Sequence, residues 1–174
     1  MRKVFFDNNM LSSAFNPKKD DATDRRRREI VKALLSDPEV LPVITPLVRF
    51  EFLCGCGEGR GVCCELPNEL ETALAKLEDE IAVFDEILVR EKEVRWAAEL
   101  FYLYKDRYQI KDEKINRYKR AFDFLYCACA DINNLETVSD DGHIKNIQEL
   151  MQEHPPNRFK AAMTCQNAQT FKPS

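Results

Sequence analysis

The sequence predicts a three-layer α/β/α sandwich with a central, mostly parallel sheet. Short apolar runs at residues 4–6 and 40–44 alternate with longer segments in which apolar residues recur every three or four positions. This is the pattern of buried strands alternating with amphipathic helices, and such alternation favours a parallel sheet covered by helices on both faces. The length of 174 residues is sufficient for one domain with a sizeable core.

The first half of the chain contains two strand candidates, each followed by helices. The elements expected there are, in order, a strand over residues 4–6, a short helix over residues 10–15, a helix that is capped by Thr23 or Asp24 and runs to Leu35, and a strand over Val40–Ile44. Thr45-Pro46 then begins a helix that ends at Gly55, because Thr is a good N-cap and Pro is favoured at the first helical position.

The second half continues the alternation. The elements expected there are, in order, a helix from Pro67, a short strand over residues 81–84, a long helix marked by residues 94–104, a helix over residues 115–129, a strand over Glu136–Ser139 and a helix over residues 144–151. The pattern weakens after Pro155-Pro156. Residues 1–154 are therefore interpreted as a single domain, and residues 155–174 as an unassigned C-terminal extension.

Composition limits the kinds of partner that the chain can have. With 26 basic and 30 acidic residues the net charge is −4, so nucleic-acid binding would require a local basic patch. No stretch approaches the ~20 apolar residues of a membrane span, and Asp7 ends the apolar start too early for a signal peptide. We expect a cytoplasmic protein without a membrane partner, in which the seven cysteines are free thiols or small buried side chains.

Five acidic residues stand in unusual places. Asp7 directly follows the first strand, Glu51 falls on the apolar face of its helix, Asp123 interrupts an apolar run, and Asp140 and Asp141 directly follow the strand Glu136–Ser139. Sites in parallel sheets collect beyond the carboxyl ends of strands. Converging carboxylates repel one another unless a cation lies between them, and oxygen ligands suit Mg²⁺ or Mn²⁺ rather than zinc.

Each acid also has a purely structural interpretation. The alternatives are capping of the first helix by Asp7, pairing of Glu51 with Arg49 or another buried base, pairing of Asp123 with Lys119 or Arg120, and an ordinary turn at Asp140-Asp141-Gly142. Taken singly, none of these acids indicates a site. The set as a whole does.

The order of these acids resembles that of the PIN-domain nucleases. The matching motifs are Asp7-Asn8-Asn9, Glu51 with Gly55 four residues later, Asp123 with Ala128 and Ala130, and Ser139 before Asp140 and Asp141. The match covers about residues 2 to 150. Two positions depart from the family pattern: Asn8 replaces a usual Thr or Ser, and His143 stands where many members carry another acid.

The resemblance implies a PIN-like domain that binds Mg²⁺ or Mn²⁺ in an acidic pocket and cleaves single-stranded or structured RNA to 5′-phosphate and 3′-hydroxyl ends. The catalytic and metal-binding positions implied are Asp7, Glu51, Asp123 and Asp141, with Asp140 as a further metal ligand. Asn9 falls on the polar residue that helps to position Asp7, and Ser139 falls on the hydroxyl residue before the last acid. Many bacterial members are toxins of toxin–antitoxin pairs, so the resemblance suggests an antitoxin as a partner, and a homodimer is the default oligomer.

A basic run offers the local patch that RNA binding would require. Arg25, Arg26, Arg27 and Arg28 begin the second helix, where positive charge opposes the helix dipole. We expect these residues to contact RNA phosphates or an acidic partner. The alternative is a solvated first helical turn.

Two rival interpretations remain open. Cys54, Cys56, Cys63 and Cys64 could bind zinc, but their spacing does not fit the usual Cys-x₂₋₄-Cys pattern, so a loop with incidental thiols is favoured. The second rival is a catalytically idle PIN-like module that binds RNA or protein.

Overall fold

A five-stranded parallel sheet lies at the centre of the protein. The structure is a computed structural model, and it describes residues 1–16, 20–54, 67–108, 117–154 and 165–167. The strands are β1 (Arg2–Phe6), β2 (Val40–Ile44), β3 (Asp85–Glu86), β4 (Glu136–Ser139) and β5 (Cys165–Asn167). They lie in the order β3-β2-β1-β4-β5, and every neighbouring pair is parallel.

Helices connect the strands and cover the sheet. In the described ranges they are α1 (Asn8–Phe15), α2 (Ala22–Ser36), α3 (Pro46–Cys54), α4 (Pro67–Ile81), α5 (Glu91–Arg107), α6 (Arg117–Ile132) and α7 (Gly142–Glu153). Thr45 accepts a hydrogen bond from the Val48 amide at 3.3 Å, at the start of α3 (Pro46–Cys54). The predicted α/β/α fold class is confirmed, as is the predicted start of this helix; its predicted end at Gly55 lies outside the described residues.

The core explains why residues 4–6 of β1 form a continuous apolar run. Val4, Phe5 and Phe6 are all fully buried, although successive strand residues face opposite sides of a sheet. Both faces of β1 must therefore be covered, as is usual in parallel sheets. Phe5 and Phe6 belong to a core group with residues from α1 to α4, while α5, α6 and α7 share a second group that includes Trp96 and Leu100.

Two local predictions are wrong. Residues 81–84 are not a strand: Leu77 and Ile81 lie four residues apart on the buried face of α4, which extends to Ile81, residues 82–84 form a turn, and β3 begins at Asp85. Helix α2 is capped by Asp21 rather than by Thr23 or Asp24, because the Asp21 carboxylate accepts a hydrogen bond from the Asp24 amide at 2.8 Å.

The sheet also uses part of the C-terminal extension. Residues 165–167 pair with β4 as the edge strand β5, in a segment to which the sequence assigned no structure. Within the described ranges, no helix combines the length and apolar character needed to cross a membrane.

The register of the two central strands places the site. Phe6 lies beside Val138 in the parallel pair formed by β1 and β4. The next residues along the two strands, Asp7 and Ser139, therefore meet at the carboxyl edge of the sheet. Asp140 and Asp141 follow directly.

Candidate active site

Asp7 is both a helix cap and a buried acid at the sheet edge. Its side chain is almost completely buried, at 2% exposure, and accepts a hydrogen bond from the Met10 amide at 2.8 Å at the start of α1. The hydroxyl of Ser139 donates to the other carboxylate oxygen. The capping alternative is therefore correct, and it leaves Asp7 at the predicted edge of the sheet.

The surroundings of Asp7 disfavour its negative charge. The pKa of Asp7 is raised from 3.8 to about 7, mainly by burial and to a smaller extent by the charges of Asp140 and Asp141, while the hydrogen bonds from Ser139 and the Met10 amide oppose the rise. A cation close to these acids would relieve both the burial cost and the repulsion.

Ser139 also links Asp7 to Asp141. The Asp141 amide donates to the Ser139 hydroxyl oxygen at 3.1 Å, and the Asp141 carboxylate caps α7 by accepting from the His143 amide at 2.7 Å. Asn9 donates to the second oxygen of Asp141 at 3.4 Å. Asn9 therefore supports Asp141, whereas the sequence suggested that it positions Asp7.

Glu51 is held by a residue that the sequence did not indicate. The hydroxyl of Tyr126 on α6 donates to Glu51 at 2.5 Å. Burial raises the pKa of Glu51, and the charge of Asp123 adds to the rise, whereas the hydrogen bond from Tyr126 opposes it. Arg49 instead pairs with Glu86 at 2.7 Å, so the predicted alternative of a Glu51–Arg49 pair is wrong.

Burial also keeps Tyr126 in its donating form. Its pKa is raised far above the ordinary value of 10.0, first by burial and then by the hydrogen bond and charge of Glu51. The phenol therefore keeps its proton near neutral pH and remains a donor to Glu51.

Asp123 is joined to α7 through His143. The His143 Nδ1 atom lies 2.7 Å from the Asp123 Oδ2 atom. The side chains of Lys119 and Arg120, the alternative partners of Asp123, lie outside the described part of the structure.

The Asp140 side chain pairs with Arg27 and not with the acidic residues described above. Its two carboxylate oxygens accept hydrogen bonds from Arg27 at 2.8 and 2.7 Å, and both side chains are largely buried. Arg27 also donates to Ser13 at 3.2 Å, and Ser13 donates to Asp24 at 2.6 Å. Burial lowers the pKa of Arg27, but the hydrogen bonds and charge of Asp140 more than offset this effect.

The four consecutive arginines therefore do not form one uniform patch. Arg27 is partly buried and both oxygens of Asp140 accept its hydrogen bonds, which differs from the predicted RNA contact. Arg25 lies 3.8 Å from Asp20 and is 60% exposed, and Arg28 pairs with the same acid at 3.5 Å. Arg26 is exposed. An RNA-contacting role for Arg25, Arg26 and Arg28 stays a prediction.

We call Asp7, Glu51, Asp123 and Asp141 the acidic site. In the described ranges, no three acidic, histidine or cysteine side chains are arranged closely enough to enclose a metal ion. Mg²⁺ commonly takes one or two carboxylates and completes its shell with waters and substrate phosphates. The donors are all oxygen atoms, and the pKa of Asp7 is raised by its burial and, to a smaller extent, by the negative charges of Asp140 and Asp141, so the residues fit a hard divalent cation of this kind.

Of the four cysteines in the zinc alternative, only Cys54 lies within the described residues. Cys54 is an exposed free thiol at the end of α3. Cys56, Cys63 and Cys64 lie outside the described residues.

Comparison with solved structures identifies the fold. A chain in the crystal structure of FitAcB from Neisseria gonorrhoeae matches with a TM-score of 0.62 and 14% identity, covering 97% of this chain and 99% of that one. The chain has the PIN-like fold. A chain of VapBC2 from Rickettsia felis, bound to a DNA fragment from its promoter, matches with a TM-score of 0.55 and 15% identity, covering 95% of this chain and 98% of that one.

A third match extends over less of the chain. A chain of a toxin-antitoxin complex from Klebsiella pneumoniae has a TM-score of 0.51 and 15% identity, covering 79% of this chain and 86% of that one. No protein-family model and no curated protein matches the sequence. The similarity is therefore one of fold, and the chemistry must be argued from the site.

Sequence reasoning missed the residues that hold the acids in place. Tyr126 lies three residues after Asp123 on α6, a spacing that puts two side chains on the same helix face, so a polar group there was a usable signal. The pairing of Arg27 with Asp140 joins residues 113 positions apart, and nothing in the local pattern indicates it.

Proposed function

We propose that the chain is a metal-dependent endoribonuclease that hydrolyses phosphodiester bonds of single-stranded or structured RNA. The observation that carries the proposal is a continuous set of hydrogen bonds at the carboxyl edge of the sheet. It runs from Asp7 through Ser139 to Asp141, and then through His143 to Asp123. A set of this kind brings acids from separate elements together, which a purely structural role for each acid would not require.

Asp7 and Asp141 are the best candidates for direct contact with a divalent cation. Both are joined to Ser139, and Asp141 adds to the raised pKa of Asp7. When bound, such a cation would lower the pKa of a water molecule and stabilise the charge that develops on the phosphate. Glu51 and Asp123 would hold surrounding waters or a second cation.

The remaining side chains orient these acids. Ser139 fixes the carboxylate plane of Asp7 by donating to one oxygen while the Met10 amide donates to the other. Tyr126 does the same for one oxygen of Glu51. Because Arg27 occupies both oxygens of Asp140, we assign the last acid of the site to Asp141 and place Asp140 outside it.

The proposal includes an antitoxin as a protein partner. Its support is the likeness in fold to chains of structures that include a toxin-antitoxin complex from Klebsiella pneumoniae. A neighbouring small gene that encodes a binding partner, followed by co-purification of the two proteins, would test this part. A homodimer remains a hypothesis.

The nuclease activity can be tested with a labelled single-stranded RNA oligonucleotide. We expect cleavage by the purified protein with Mn²⁺ or Mg²⁺, none with EDTA, and loss of cleavage in Asp141→Asn. Asp79→Asn is the matched control, because Asp79 is exposed on α4 and takes no part in the acidic site. The product ends should be 5′-phosphate and 3′-hydroxyl.

Two results would reject the nuclease proposal. Cleavage that persists in EDTA and in Asp141→Asn would indicate a contaminant or a different mechanism. Tight RNA or protein binding without cleavage, under every metal condition, would favour the catalytically idle module.

A further inference from the structure

His143 contacts two acids of the acidic site at once. Its backbone amide donates to the Asp141 Oδ1 atom at 2.7 Å, and its ring Nδ1 atom lies 2.7 Å from the Asp123 Oδ2 atom. Asp141 is the N-cap of α7 and Asp123 lies on α6. One residue therefore ties together carboxylates at two different helices.

The ring of His143 is held in a defined orientation. Tyr104 packs edge-on against it, with ring centroids 5.0 Å apart, and Phe124 does so at 5.5 Å. Only 15% of the His143 side chain is exposed. Both aromatic neighbours are themselves buried, so the ring has little freedom to turn away from Asp123.

The two ring nitrogens have different surroundings. Nδ1 faces Asp123, and because a carboxylate only accepts hydrogen bonds, Nδ1 is the atom that carries the hydrogen of this bond. Nε2 is buried and has no hydrogen-bond partner in the described part of the protein. With one nitrogen occupied by Asp123 and the other enclosed, His143 is poorly placed to ligate a metal itself.

We propose that His143 is a positioning residue, which fixes the Asp123 carboxylate beside Asp141 for divalent-cation binding. This inference rests on the proposed function and adds to it a role for a residue at which the sequence departs from the PIN-domain pattern. An aspartate free to rotate about its terminal torsion must be ordered when a cation binds. The hydrogen bond from His143 orders it beforehand, as partners of metal ligands commonly do.

The test compares three substitutions in the full-length protein, with Mn²⁺ alone as the probe. Asn places its amide near the position of Nδ1, Gln places it near Nε2, and Leu offers no donor. We expect His143→Gln and His143→Leu to weaken Mn²⁺ binding by about 10-fold or more, as loss of such partners usually does. His143→Asn should bind within about 3-fold of wild type if its amide restores the contact. Calorimetric titration measures these affinities, and circular dichroism checks that each variant is folded.

A second background isolates the contact with Asp123. In Asp123→Asn, a further His143→Leu change should cause little additional loss of Mn²⁺ affinity, because the group being positioned has already been altered. Equal losses in the wild-type and Asp123→Asn backgrounds would show that His143 acts elsewhere and would overturn the proposal. So would a His143→Leu variant that melts at a lower temperature but binds Mn²⁺ as tightly as wild type.

Parallel RNA cleavage assays separate this inference from the proposed function. If the wild type binds Mn²⁺ but cleaves no RNA, the nuclease proposal fails while the Mn²⁺ affinities still decide the role of His143. If the wild type cleaves RNA and all three His143 variants bind Mn²⁺ normally, only the positioning role fails. A wild type that binds no Mn²⁺ overturns both.

Discussion

Arg27 and Asp140 form a largely buried ion pair in which two guanidinium nitrogens donate to the two carboxylate oxygens, at 2.8 and 2.7 Å. This pair separates the roles of two adjacent acids. Asp140 is turned toward α2, while Asp141 caps α7 and contacts Asn9 and Ser139. The pair also ties α2 to the carboxyl edge of the sheet, next to Asp7.

Loss of Arg27 should destabilise the protein strongly. We expect Arg27→Met to lower the free energy of unfolding by about 3 kcal/mol, because it leaves the Asp140 carboxylate buried without its counter-charge. Urea denaturation in EDTA measures the change. In the double variant Arg27→Met/Asp140→Asn the loss should be smaller than the sum of the two single losses. Additive losses would mean that the two side chains do not act as a pair.

Asp7 should make the free energy of unfolding of the metal-free protein depend on pH. Its pKa is 3.8 as an ordinary aspartate and about 7 in the folded protein, so the folded state holds the proton more tightly. Its contribution to stability is fully present below about pH 4 and is lost as the pH rises through about 7. In EDTA at pH 8, Asp7→Asn should therefore be more stable than wild type, by on the order of 4 kcal/mol.

The comparison with Asp7→Asn is informative because asparagine is also a good helix N-cap. The substitution therefore preserves the cap of α1 while removing the charge. Denaturant unfolding across this pH range measures the difference. Parallel stability profiles for the two proteins would contradict the assignment of a raised pKa to Asp7.

Loss of the Tyr126 hydroxyl should change both the stability of the protein and the pKa of Glu51, whereas loss of the hydroxyl of an exposed tyrosine should change neither. Tyr126→Phe removes the hydroxyl that donates to Glu51, so we expect a stability loss of about 1–3 kcal/mol. The pKa of Glu51 should rise further, because this hydrogen bond lowers it. The acidic limb of the pH–rate profile should then move to higher pH. Tyr102→Phe is the matched control, since Tyr102 is 68% exposed, and equal effects in both variants would refute the assigned contact.

Ser139 should affect Asp7 and Asp141 together. Ser139→Ala removes the donor to Asp7 and the acceptor for the Asp141 amide, which should weaken Mn²⁺ binding and raise the pKa of Asp7. Ser139→Thr keeps the hydroxyl and should retain most of the Mn²⁺ affinity. The measurement is Mn²⁺ titration near pH 7, where the protonation of Asp7 competes with binding. The account is contradicted if alanine and threonine behave alike.

The parts of the site that were predictable come from local signals. Asp7 directly follows the apolar run at residues 4–6, and Asp140 and Asp141 follow the strand Glu136–Ser139. Parallel strands bring their carboxyl ends to the same edge of a sheet. Glu51 stood out on an apolar helix face. These features depend on residue periodicity, which the sequence displays directly.

The parts that were not predictable depend on tertiary contacts. The partners of Asp140 and Glu51, namely Arg27 and Tyr126, come from elements distant in sequence. The error at residues 81–84 has a different cause, because a short apolar run suits a strand and the end of a buried helix equally well. The three residues of β5 carry no periodic signal and are identified as a strand by their pairing with β4.

The most direct test of the central claim is the rate of RNA cleavage at saturating Mn²⁺ by wild type and by Asp7→Asn, with EDTA as the metal-free condition. The acidic site predicts that wild type cleaves only with metal and that Asp7→Asn is slower by at least about 100-fold, a loss of ~2.7 kcal/mol in transition-state stabilisation. The claim would be contradicted if Asp7→Asn cleaved at the wild-type rate. It would also be contradicted if wild type cleaved RNA as fast in EDTA as with Mn²⁺.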